Sequence, residues 1–68
     1  MELKKIFARN VRKARKASGM SQEELGDEAG LTRNYIGMIE RCETSASLDA
    51  VQAIADALDV SAPTLLEK

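Results

Sequence analysis

Histidine is absent from this 68-residue sequence, and cysteine, proline, tyrosine and phenylalanine occur once each. Each shortage closes off a class of protein. A single thiol, Cys42, cannot form an internal disulfide, so a disulfide-stapled mini-protein is excluded. Without imidazole there is neither a zinc finger nor His-based acid–base catalysis. Apolar runs of two to four residues fall far short of a membrane span. The start, Met1-Glu2-Leu3-Lys4-Lys5, is basic but has no apolar stretch behind it, so it does not read as a signal peptide. A chain this short buries only about 60 % of its unfolded surface. One small cytoplasmic domain is expected, with no room for a catalytic domain beside a binding one.

What is present is charge, unevenly placed. The net charge is −1, yet residues 1–19 carry seven lysines and arginines against Glu2 alone, a balance of +6. Residues 20–31 carry Glu23, Glu24, Asp27 and Glu28, a balance of −4. Residues 32–47 are neutral and residues 48–68 sum to −3. Charges farther apart than about 10 Å are screened at moderate salt, so a polyanion responds to the local field rather than the total. This polarity is compatible with DNA, although weaker than that of a uniformly basic protein. The four acids suit a first-turn dipole partner and solvated surface, pointing away from any DNA.

Apolar residues recur at helical spacing, and an all-α fold of five helices follows. Leu3, Ile6, Phe7, Val11 and Ala14 stripe a helix over 2–17, which Gly19 stops. Ser21 and Glu24 form a capping box for a helix over 22–29, with Met20 and Leu25 as its staple. Gly30 supplies a turn, and Thr32 caps a helix over 33–41 that turns Ile36 and Ile39 inward. Ser47 caps a helix over 48–58. Ser61 caps a last helix over 62–67, with Pro63 in its first turn.

The informative stretch is Gln22 to Arg41. Two short helices meet at Gly30, Gly26 is small where the second helix would cross the first, and Leu25, Ala29, Leu31, Ile36 and Ile39 can hold them at a steep angle. Those offsets together point to a helix-turn-helix. The run Gly19-Met20-Ser21-Gln22-Glu23-Glu24-Leu25, then Ala29-Gly30-Leu31, Tyr35-Ile36, Ile39-Glu40-Arg41, Leu48, Ile54-Ala55, Ala57-Leu58 and Val60 resembles the lambdoid phage repressor and Cro family of helix-turn-helix domains. Within it, the short length and the Leu31–Arg41 stretch look most like the stand-alone controller proteins of restriction–modification systems.

The resemblance implies a compact five-helix lambda-repressor-like domain that binds a palindromic operator on double-stranded DNA as a homodimer, its third helix in the major groove. Thr32, Arg33, Asn34, Tyr35, Gly37 and Met38 are then expected to meet base edges. Arg33 leads, because a guanidinium pairs bidentately with guanine. Gln22, Tyr35, Arg41, Thr44, Ser45 and Ser47 are expected at phosphates. Arg15 and Glu40 are expected to form an ion pair that orients the reading helix. Leu48, Val60, Pro63, Leu65 and Leu66 are expected at the dimer surface, or else, for Leu48 and Leu65, in the monomer's own core.

The sequence departs from the family pattern at Cys42, where glycine is usual, and at Gly26, where alanine is commoner; each is expected to cost about 1 kcal/mol. No cofactor, metal or small-molecule ligand is expected, and no residues suggest an enzyme. The resemblance leaves room for a contact with RNA polymerase and for a place on the nucleoid. The plainer reading of Arg33, Asn34 and Tyr35 is a solvated helix face. A small protein-interaction or antitoxin-like module that does not read DNA is the competing function.

Overall fold

The computed structural model describes residues 2–68; Met1 lies outside the described residues. Among the described residues there are four α-helices and no strand: α1 (Glu2–Ala17), α2 (Gln22–Ala29), α3 (Arg33–Glu40) and α4 (Leu48–Leu58). A 3-10 helix, Ala62–Leu66, closes the chain. None of the helices is long and apolar enough to cross a membrane.

Capping sets the helix starts. The Ser21 hydroxyl accepts from the Glu24 amide at 3.0 Å, and the Glu24 carboxylate accepts from the Ser21 amide at 2.8 Å. Thr32 and Ser47 accept from the amides of Tyr35 and Ala50 at 3.0 and 3.1 Å. Each bond satisfies an amide that has no partner within its own helix.

The four α-helices also end alike. In each, a left-handed residue follows the last turn, and two backbone bonds close back on the helix. Gly19, Gly30, Cys42 and Asp59 take that place, with φ between 58° and 71°. At α3 the Cys42 amide donates to the Ile39 carbonyl at 3.0 Å, and the Glu43 amide to the Met38 carbonyl at 2.8 Å. Cys42 therefore adopts the backbone of the glycine it replaces.

The helix expected over 62–67 is the point of difference. It is a five-residue 3-10 turn, not a fifth α-helix. Its first internal bond runs from the Thr64 amide to the Ser61 carbonyl at 3.1 Å, three residues back. Asn10 on α1 then donates to the Leu65 carbonyl at 3.0 Å and the Glu67 carbonyl at 2.7 Å. Those bonds pin the end of the chain to α1, and Glu67 is already extended.

The core gathers one stripe from each helix: Phe7 and Val11, Leu25, Ile36 and Ile39, then Ile54, Ala55 and Leu58, sealed by Leu65. Leu65 is only 1 % exposed, so it belongs to the core and is not available to a dimer surface. Gly26 permits the close crossing of α2 by the segment leading into α3. A Cβ there would stand 2.6 Å from the Leu31 carbonyl oxygen and 3.3 Å from the Arg33 amide. The glycine is thus required by the approach of a backbone, a benefit that the loss in helix propensity does not capture.

Candidate nucleic-acid interface

The reading end is built from the two ends of the helix-turn-helix. Gly30, with φ 71°, ends α2, and Thr32 starts α3 two residues later. The turn leaves Thr32, Arg33 and Asn34 exposed at the amino end of α3. Gln22, at the amino end of α2, lies across from them. A shallow groove is lined by Gln22, Thr32, Arg33, Asn34, Gly37 and Arg41. Its floor is buried while its rim is polar and open.

A chain of bonds fixes this end to the rest of the fold. Arg15 grips Glu40 with two parallel bonds, Nε to Oε2 at 2.7 Å and Nη2 to Oε1 at 3.0 Å. A third bond runs from Arg15 Nη1 to the Met20 carbonyl at 2.9 Å. Gln22 Nε2 donates to Glu40 Oε1 at 3.3 Å. The side chains of Arg15 and Glu40 are 11 % and 3 % exposed. Hydrogen bonding to Glu40 holds the Arg15 guanidinium protonated even more firmly than usual. One network thus ties the end of α1, the start of α2 and the end of α3.

The expected contact residues fall into separate groups. Arg33 makes no ion pair with the described residues and extends from the helix start. Asn34 Nδ2 lies 3.7 Å from Met38 Sδ, one turn along the same strip of α3. Gly37 does not face open solvent, against expectation. It is buried, because the Arg41 guanidinium and the Gln22 amide lie across it; an added Cβ would meet Arg41 Nη1 at 2.9 Å and Gln22 Oε1 at 3.4 Å.

Tyr35 leaves the groove altogether. Its ring packs against the core, and its hydroxyl accepts from the Ser47 amide at 3.4 Å, at the amino end of α4. Ser47 and Tyr35 therefore form a second polar cluster with a helix N-terminus behind it. Thr44 and Ser45 line a different surface, an apolar groove between the start of α1 and the start of α4. Glu43, one of the balanced charges of residues 32–47, stands beside the interface through its bond to Arg41. Its carboxylate takes Arg41 Nε at 2.9 Å and Nη2 at 3.2 Å. Hydrogen bonding from Arg41 holds the Glu43 carboxyl below the usual carboxylate range.

The acids of α2 are exposed and sit away from the groove. Leu25, Gly26 and Ala29 turn toward the other helices, and Glu23, Glu24, Asp27 and Glu28 take the remaining face. On α1, Lys5, Arg9, Arg12, Lys13 and Lys16 line a basic depression that reaches Glu40 and Cys42.

Comparison with known proteins gives a consistent picture. A helix-turn-helix family model matches residues 11–65. The control protein C.SmaI of Serratia marcescens is 43 % identical over 68 residues, covering 100 % of this chain and 81 % of that one. The control protein C.BamHI of Bacillus amyloliquefaciens is 43 % identical over 63 residues, covering 91 % of this chain and 78 % of its own. Among solved structures, the restriction-modification controller protein C.AhdI from Aeromonas hydrophila superposes with a TM-score of 0.90 at 35 % identity, covering 96 % of this chain and 98 % of that one.

Proposed function

Because this chain belongs to the helix-turn-helix family of transcriptional regulators, we propose that it is a restriction–modification controller which binds a palindromic operator as a homodimer. The observation that carries this reading is the amino end of α3. Arg33 and Asn34 are exposed beside Gln22 on a polar groove, and the Arg15–Glu40–Gln22 network holds that end in place. The same network is what a reading helix needs, since a base contact is only as selective as its positioning is firm.

The roles then follow. Arg33 pairs with a guanine edge, and Asn34 and Met38 sit over the neighbouring bases. Thr32 is occupied as a cap, which uses one lone pair of its hydroxyl and leaves the proton and the other lone pair for DNA. Gln22 and the open amides of α2 take a phosphate on one side of the groove. Tyr35 and Ser47 take one on the other side, at the start of α4. Arg41 completes the set.

One helix of this size reads only a few base pairs, so a second copy is needed about 34 Å away. The face for it is apolar. Leu48 is 87 % exposed, and with Leu3 and Leu66 it rims the groove floored by Phe7, Ile39 and Val51. Pro63 is exposed and Val60 half-buried, so both remain open to a second copy, whereas Leu65 is in the core. Acting on the nucleoid in the cytoplasm, such a protein is governed by its own concentration through dimerisation and operator occupancy.

A mobility-shift titration at two salt concentrations tests the reading. It uses DNA from upstream of the gene against a mixed-sequence duplex. The proposal requires sequence preference, and affinity that falls as salt rises. Arg33→Ala must lose preference at one or two positions with its helix content intact. A chain that binds no DNA selectively is instead the protein-interaction module. The neighbouring genes decide the narrower assignment: an adjacent nuclease and methyltransferase pair supports a controller.

A further inference from the structure

A carboxylate beside a DNA-reading surface is an electrostatic liability, and Glu43 is one. It stands three residues beyond α3 and repels phosphate. It also neutralises part of the charge on Arg41, a residue assigned to the same interface. On affinity alone, the surface would bind DNA better without it.

The geometry shows what Glu43 supplies in return. Its two oxygens take Arg41 Nε and Nη2 at 2.9 and 3.2 Å, a side-by-side grip that fixes the plane of the guanidinium. The nitrogen it does not hold, Nη1, lies over Gly37, 2.9 Å from where a side chain would begin. The missing side chain at Gly37 leaves room for the guanidinium to come this close to the reading helix. The backbone carrying Glu43 is itself fixed. Cys42 takes the left-handed conformation, and the Glu43 amide closes on the Met38 carbonyl at 2.8 Å. A free arginine would sample many rotamers and lose that freedom on binding.

Resting on the DNA-reading function proposed above, we infer that Glu43 is a positioning residue for selectivity. It holds Arg41 across Gly37 so that Nη1 is offered to the groove lined by Gln22 and Arg33, where its phosphate contact sets the register of Arg33 on the bases. It strengthens operator binding through Arg41 while weakening the sequence-independent attraction to the backbone, so the difference between operator and other DNA rises.

The test uses the operator that the wild-type chain selects from a random duplex library, with a mixed-sequence duplex as competitor. Four proteins are compared: wild type, Glu43→Ala, Arg41→Ala and the double variant. Positioning and simple charge predict opposite results. Glu43→Ala is expected to bind the mixed duplex more tightly and the operator less tightly, so that the selectivity ratio falls roughly tenfold. In the Arg41→Ala background, removal of Glu43 is expected to leave the ratio unchanged, because it acts through that arginine. Thermal midpoints should not move, since the pair is exposed. Tighter binding of both duplexes with an unchanged ratio overturns the inference. So does an equal fall in the ratio without Arg41. A wild-type chain that selects no sequence fails the functional reading itself; a selective wild type with an indifferent Glu43→Ala fails only the positioning role.

Discussion

Gly26 and Leu31 are joined by a hydrogen bond and separated by no room for a methyl group. The Leu31 amide donates to the Gly26 carbonyl at 2.8 Å, and a Cβ on Gly26 would stand 2.6 Å from the Leu31 carbonyl oxygen. This close contact sets the crossing of the helix-turn-helix. Alanine at position 26 would gain about 1 kcal/mol in helix propensity. It would also push apart two stretches of backbone, which costs about 1–3 kcal/mol. Gly26→Ala is therefore expected to lower stability, read as an earlier midpoint in urea. A later midpoint would mean that the turn relaxes freely and that the contact does not set the crossing.

The Arg15–Glu40 pair behaves differently from an exposed salt bridge. Both side chains are largely buried and share four bonds with each other, Met20 and Gln22. Removing one partner leaves a buried charge with no counterpart, at a cost of about 3 kcal/mol. Arg15→Ala and Glu40→Ala should each unfold at markedly lower denaturant. The double replacement Arg15→Met with Glu40→Leu should recover much of that loss, because no lone charge remains. If the single variants were as stable as wild type, the network would not be what holds the end of α3.

The limits of the sequence follow from the range of the forces involved. Capping boxes and left-handed stops act within four or five residues, so Ser21, Thr32, Ser47 and Gly30 can be read directly from the chain. The last helix cannot. Pro63 reads as the start of an α-helix, but the end of the segment is tied to α1 by Asn10, more than fifty residues earlier. Gly26 and Gly37 show the same limit. A propensity scale describes each glycine alone, whereas its use depends on what crosses it: the Leu31 carbonyl in one case, the Arg41 guanidinium in the other. Leu65 could serve core or surface on pattern alone, and only its seat against α1 decides for the core. Glu43 gave no signal in a balanced count of charges, because its partner is chosen by the left-handed turn at Cys42.

That turn offers a substitution expected to stabilise. Cys42 has φ 59°, where a side chain costs about 1–2 kcal/mol. Glycine removes the strain but adds freedom to the unfolded chain. The net gain for Cys42→Gly should be about 1 kcal/mol, a rise in Tm of roughly 4–8 °C for a domain of this size. Asp59→Gly should gain less, since aspartate tolerates the left-handed region better. Equal midpoints for wild type and Cys42→Gly would show that the thiol's packing offsets the backbone strain.

The proposed dimer face can be separated from the fold by one residue. Leu48 is 87 % exposed, so its side chain contributes little to the monomer. Covering it would stabilise a dimer by about 2 kcal/mol per copy, and twofold symmetry counts it twice. Aspartate suits the first turn of α4, where the helix dipole favours an acid. Leu48→Asp should therefore keep its thermal midpoint when dilute, yet sediment as a monomer at concentrations where wild type is a dimer. Its operator affinity should fall more steeply on dilution, because two reading ends must then be captured separately. If Leu48→Asp sedimented with the same mass as wild type, the second copy would have to meet the first elsewhere, and the apolar groove beside Leu3 would be left without its proposed occupant.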